Sequence, residues 1–389
     1  MTNNINEFKA KTAIVILAYS DYESLELALA SHAKFSINKN VKIYILQNGK
    51  NTYDCQRTLN VGKRYHMLFP DQIFVVDNIK PNYPYLSIKE LLNSNQFKQY
   101  EYIIKLDDDL IVLTDNWIDK LCKLYLNKKD LHKDNLAYVT PLINNNPYGF
   151  KKIIELSKEL NNEYFNKIAR KHFIGLQQDF SYGPYRIVDK NTISSGTCGT
   201  IWGTPFLVNW LHQKTSLNPD KYVLLTKNWK IDEINNKERY SIGCILFEKK
   251  FWNDININST DDEFQFRKYC FRNNKKIFAD LSIPTVHISF FSQKEEIRNL
   301  MENFYSVYTK YLKLNFPIRI CNNRLIELEN RIRFLETKLE NKINSFESKS
   351  FHLLNENKSI FNKLYSSLKN NGIKKTIKIL IRKLNYCFK

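Results

Sequence analysis

The stretch EYIIKLDDDLIVLTDNW, residues 101–117, sets Asp107, Asp108 and Asp109 side by side within an apolar segment. Ionised together in a buried strand, three carboxylates repel one another, so they need cations, hydrogen-bond donors or protons. A divalent metal meets that need most directly, because hard oxygen ligands suit Mg2+ or Mn2+, ions that commonly bridge a carboxylate to a diphosphate. A surface turn with capping aspartates is the plain alternative. It fits poorly, since Ile111, Val112 and Leu113 continue the apolar run. Three further places carry usable chemistry: the acidic run Asp261-Asp262-Glu263, His287 after IPTV, and the Gly/Ser/Thr-rich TISSGTCGTIWGTPF (192–206) with Trp202. Each also has a structural reading: a capping box from Thr260 to Glu263, a core histidine, and an ordinary turn with a core tryptophan.

Groups so far apart in sequence must be brought together by a fold, and the pattern suggests one. TAIVILAY (12–19), VKIYILQNG (41–49), QIFVVDN (72–78) and EYIIKLDDDLIVL (101–113) are apolar runs of strand length. Between them lie DYESLELALASHAKF, which Asp21 can cap, CQRTLNVGKRYHMLF, and SIKELLNSNQF, which Ser87 and Glu90 open at capping-box spacing. This β-α-β-α-β-α-β order predicts a parallel α/β sheet with helices on both faces. Ligands of such sheets sit at the carboxyl ends of the strands, which is where the aspartates fall. From residue 136 the rhythm becomes α+β: LAYVTPLI, a helical pattern over 150–171, then strands in SIGCILFEKKFW (241–252) and KIFADLSIPTVHISFF (276–291).

The chain has 389 residues, enough for a large core, with 59 Lys and Arg against 40 Asp and Glu and a net charge of +19. That excess calls for an anionic partner such as a phosphate-bearing ligand, an anionic membrane or a nucleic acid. No nucleic-acid-binding signature accompanies it, and nucleic acid is not expected. The seven cysteines are scattered without a CxxC pair, which argues against a zinc site or a disulfide framework and fits a reducing cytosol. The first apolar stretch reads as a core strand rather than a signal peptide, and no run approaches the length of a spanning helix, so a cytoplasmic protein is expected.

After Pro317 the character changes. RLIELENRIRFLETKLENKINSF places Leu325, Leu328, Ile332, Leu335, Leu339 and Phe346 at heptad a and d positions, which predicts a short coiled coil and a homo-oligomer. A single amphipathic helix is the simpler reading. In NNGIKKTIKILIRKLNYCFK, Ile373, Ile377, Leu380, Ile381, Leu384 and Phe388 share one helical arc opposite Lys374, Lys375, Lys378, Arg382 and Lys383. That is the composition of an interfacial helix, and each cation near an anionic leaflet contributes on the order of 1 kcal/mol. The expected divisions are 8–315, 322–348 for the coiled coil, and 349–389 for a basic membrane-associating tail.

The opening TAIVILAYSDYESLELAL followed about ninety residues later by a strand ending in the Asp cluster resembles the family 2 glycosyltransferases of GT-A fold. LQNGKNTYD resembles that family's base-contacting turn, with Asn48 where Asp is commoner. DDEFQFRKY (261–269) resembles the segment bearing the catalytic base, and SIPTVHISF puts His287 where several GT-A enzymes place a late metal or diphosphate ligand. The resemblance covers roughly residues 10–300. It implies a Rossmann-like mixed sheet and inverting transfer from a nucleotide sugar, expected to be a UDP-sugar, to a glycan or lipid-linked glycan of the cell surface. It further implies Mn2+ or Mg2+ on Asp109 and His287, donor contacts from Ala18, Tyr19, Asn48, Asp107, Asp108 and Trp202, and Asp262 as general base. Asp261 and Glu263 remain alternatives for that last role. A non-catalytic membrane-associated scaffold of the same fold is the competing reading, and a metal-dependent phosphatase or nuclease would call for further acidic or His ligands.

Overall fold

The computed structural model describes residues 2–49, 52–80, 82–163, 205–235, 240, 242–255, 262–288, 294–318 and 337. The chain divides into Met1–Ile320 and Cys321–Lys389. The predicted coiled coil, apart from Thr337, and the whole basic tail lie outside the described residues, as do Trp202 and Asp261.

Nine described strands form one sheet. They are β1 (Thr12–Ala18), β2 (Lys42–Gln47), β3 (Ile73–Val76), β4 (Tyr102–Asp107), β5 (Leu110–Val112), β6 (Leu136–Ile143), β7 (Ile231–Glu233), β8 (Cys244–Glu248) and β9 (Lys276–His287). The path runs β3-β2-β1-β4-β8-β6-β9-β5, with β7 beside β9. The first four strands are parallel, as their alternation with helices predicts. β8 runs antiparallel between β4 and β6, and β5 and β7 run antiparallel to β9, so the whole sheet is mixed. This mixed sheet with flanking helices fits the GT-A expectation.

Successive residues of β1, β4 and β6 are buried, which requires both sheet faces to be covered. The helices are α1 (Thr2–Ala10), α2 (Tyr22–Phe35), α3 (Tyr53–Leu68), α4 (Pro84–Asn93), α5 (Trp117–His132), α6 (Pro147–Leu156), α7 (Pro205–Lys214), α8 (Pro219–Thr226), α9 (Lys249–Asp254), α10 (Asp262–Arg272) and α11 (Lys294–Leu312). Asp21 caps α2 by accepting the Ser24 N–H.

Three local expectations need correction. EYIIKLDDDLIVL is two strands rather than one: Asp108 and Asp109 form a turn, after which β5 leaves β4 to pair with β9. Ser87 does not open its helix, because Pro84 at the first helical position starts α4 three residues earlier. SIGCILFEKKFW is strand only as far as Glu248 and continues as α9. Of the helical pattern over 150–171, the structure describes α6, which begins at Pro147 and ends at Leu156. No described helix is long and apolar enough to cross a membrane.

Candidate metal and donor site

The site grows from the carboxyl ends of β1, β2 and β4. Leu17 of β1 pairs with Asp107 of β4, and the backbone N–H of Tyr19, just beyond β1, donates to Asp108 Oδ2 at 3.1 Å. Asp108 therefore turns toward β1, while Asp107 and Asp109 turn toward β9. β5 carries this geometry onward: Leu110 pairs with His287, and the Ile288 N–H donates to the Asp109 carbonyl at 3.1 Å. α2 and α11 fix β5 in place, since Val112 N–H donates to Ser31 Oγ and the Tyr311 hydroxyl donates to the Leu113 carbonyl.

His287 Nε2 then lies 3.1 Å from Asp109 Oδ1 and 3.6 Å from Asp107 Oδ2. Among the described residues, these three offer one ligand atom each within 4.8 Å of one another. Two carboxylate oxygens and an imidazole nitrogen are a donor set that suits a divalent cation. The electrostatics agree. Burial pushes Asp109 up, against the pull of His287 and with the help of Asp107, to about 6. Burial, then Asp109 and Asp21, raise Asp108 well above the usual range. Asp107 also feels burial, but the Lys105 ammonium and His287 outweigh it and hold its carboxyl low. Burial would depress His287, yet Asp109 and Asp107 raise it to about 9. A proton on the imidazole thus supplies part of the positive charge that this cluster calls for, and a cation bound there would replace it.

Lys105, buried in β4, donates to Asp107 Oδ1 at 2.5 Å and to the Ile242 carbonyl at 3.0 Å. It neutralises one face of Asp107 and leaves Oδ2 toward His287. Sequence reasoning passed over it, although a lone lysine inside YIIKLD was a visible counter-charge.

Beside these residues, amide side chains tie together the segments that follow β1 and β2. Gln47 Nε2 donates to the carbonyls of Tyr19 and Gly49, and the Asn48 N–H donates to the Ala18 carbonyl. The Asn48 side chain pairs with the Asn82 backbone in both directions, while Ser87 Oγ donates to Asn48 Oδ1 at 2.6 Å. This is the work that Ser87 does in place of capping. The Tyr19 ring is exposed and rests on Gly49, where an added Cβ would lie 2.8 Å from it and 2.5 Å from Cys55 Sγ.

Ala18, Tyr19, Asn48, Asp107, Asp108, Asp109 and His287 thus gather around one end of the sheet. Asp107, which the resemblance assigns to the donor, joins Asp109 and His287. Asp262 is the first residue of α10, and the orientation of its side chain lies outside the described residues.

No family model matches the chain, and no curated protein matches it. Solved structures do. The mannosyltransferase PcManGT from Pyrobaculum calidifontis, in complex with GDP-Man and Mn2+, shares 12% identity with a TM-score of 0.28, over 37% of this chain and 38% of that one. S. aureus TarS 1–349 shares 12% identity with a TM-score of 0.36, over 78% of this chain and 69% of that one, and the same fragment has also been solved with UDP. Likeness at that distance fixes neither fold nor reaction for this chain, so the residues of the site must carry the functional reading.

Proposed function

We propose that this chain is a metal-dependent glycosyltransferase that moves a sugar from a nucleotide sugar, most simply a UDP-sugar, to a glycan acceptor with inversion. One observation carries the reading: two neighbouring aspartates and a histidine distant from them in sequence converge at the carboxyl end of the parallel strands. A divalent ion held by Asp107, Asp109 and His287 would neutralise the negative charge that develops on a departing diphosphate.

The chain's own groups supply the remainder. The Tyr19 ring and Asn48 would receive the nucleoside, and Asp108 would orient its ribose. Asp262, at the start of α10, would take the proton of the attacking acceptor hydroxyl. Trp202 would stack on a sugar. The basic C-terminal segment and the heptads before it would gather the enzyme, as an oligomer, at the inner face of an anionic cytoplasmic membrane where a lipid-linked acceptor is exposed. The scaffold reading offers no reason to assemble a buried carboxylate cluster of this cost.

The deciding experiment incubates the full chain with a panel of nucleotide sugars in Mn2+ and follows thermal stabilisation and transfer. A UDP-sugar should stabilise the protein only when the metal is present. Stabilisation and transfer that persist undiminished in excess EDTA would overturn the reading.

A further inference from the structure

Asn144, Asn145 and Asn146 follow directly on β6, and all three are buried. Each amide has a separate task. Asn146 caps α6, its Oδ1 accepting the Gly149 N–H at 2.6 Å. Asn144 Oδ1 accepts the backbone N–H of His287 at 2.8 Å, and its Nδ2 donates to Thr215 Oγ1 at 2.9 Å. Asn145 meets the imidazole itself, its amide nitrogen Nδ2 2.7 Å from His287 Nδ1.

The segment that carries these amides is held on both sides. Ile143 pairs with Thr285, and Thr285 Oγ1 donates to the Leu142 carbonyl at 2.9 Å. Gly149 admits no side chain, since a Cβ there would stand 1.8 Å from the Ile143 carbonyl oxygen. A break in the β6–β9 register, from Pro141–Asp280 to Leu142–Pro284, bulges β9 just before this point. Bulges re-aim the side chains that follow them, and here His287 follows.

An imidazole can bind a cation through Nε2 only if that nitrogen presents a lone pair. The ring proton must then sit on Nδ1, where it needs an acceptor. A carboxamide suits this position because either end can face the ring: Nδ2–H, which faces it in this structure, donates to a bare Nδ1, and Oδ1, once the amide is turned over, accepts from an Nδ1–H. We infer that Asn145 is a positioning residue that sets the tautomer and ring orientation of His287 for a divalent cation, while Asn144 anchors the backbone of the same residue. The inference rests on reading Asp107, Asp109 and His287 as a metal site. It gives Asn145 no contact with substrate.

The test titrates Mn2+ into the full chain, reading free ion by electron paramagnetic resonance, for the wild type, Asn145→Leu, Asn145→Asp and His287→Ala. Asn145→Leu, nearly isosteric but without an acceptor, should weaken Mn2+ binding by about 10- to 100-fold, as outer-shell changes do. Asn145→Asp keeps an acceptor for Nδ1–H and should retain most of the affinity. Nitrogen-15 spectra of the histidines in Mg2+ should show His287 protonated at Nδ1 in the wild type and Asn145→Asp, and a mixture of tautomers in Asn145→Leu. If Asn145→Leu fails to fold, Asn145→Gln, which displaces the amide by one methylene, must show a loss in the same direction. Mn2+ affinity unchanged in the folded variant, or an equal loss in Leu and Asp variants, overturns the inference alone. A wild type that binds no Mn2+, or His287→Ala binding it as tightly as the wild type, overturns the metal reading and this inference with it.

Discussion

His287 pairs with Leu110 across the antiparallel β5–β9 ladder, and that register sets its Nε2 3.1 Å from Asp109 Oδ1. A slip of one residue would turn the imidazole to the opposite face of the sheet. The site therefore depends on the short strand β5, which exists because the chain turns at Asp108 and Asp109.

Asp109→Asn should cut transfer by about 100-fold or more, the range expected when a group that stabilises transition-state charge is lost. The same change should not harm the fold. A carboxyl whose folded pKa is raised to about 6 opposes folding above that pH, and the opposition fades as pH falls through 6. Without metal at pH 8, Asp109→Asn should melt higher than the wild type. A lower melting temperature would mean that the carboxylate is structural.

Gly49→Ala tests the proposed donor contact at Tyr19. The new methyl would meet Cys55 Sγ and the Tyr19 ring, so Tyr19 must move. Stability should fall by about 1–3 kcal/mol, as for other overpacked sites. Donor KM should rise roughly tenfold, worth about 1.4 kcal/mol, with kcat changed less. Unchanged donor KM would place the nucleoside elsewhere.

Asp262→Asn should lower kcat by roughly 100-fold or more, the usual contribution of a general base, and leave donor affinity near the wild-type value in isothermal titration. Lost donor affinity would move the base to Asp261 or Glu263.

Two buried histidines set the response to acid. Burial alone drives His32 down to about 3 and His212 down to about 4. In the unfolded chain each would titrate near 6.5. Below that pH the unfolded state binds the extra proton, so stability is lost as pH falls from about 6.5. Each should contribute about 2 kcal/mol of loss by pH 5. The raised carboxyls of Asp108 and Asp109 act in the opposite sense, so His32→Gln compared with the wild type in urea at pH 7.5 and pH 5 isolates the effect. An identical acid loss in both proteins would refute it.

Deleting residues 369–389 should abolish salt-sensitive binding to anionic vesicles while preserving transfer to a short soluble acceptor. Vesicle binding that survives the deletion would rule out the tail as the anchor.

The sequence by itself determined the parallel half of the sheet and the position of the acidic cluster at a strand end. Those features follow from local patterns: apolar runs of strand length, alternation with amphipathic helices, and a charge run where the apolar run breaks. Lys105 was legible in the same way. The partnership of the cluster was not. Nothing in IPTVH tells which strand β9 joins, since pairing depends on long-range register rather than on local preference. Ser87 and Glu90 have the spacing of a capping box, yet Pro84 starts the helix earlier and frees Ser87 to bond Asn48. No local pattern marks the Asn144–Asn146 run, and only the bulge in β9 and the Ile143–Thr285 pairing bring Asn145 to Nδ1 of His287. Tertiary structure decided these contacts because each joins groups that no sequence periodicity relates.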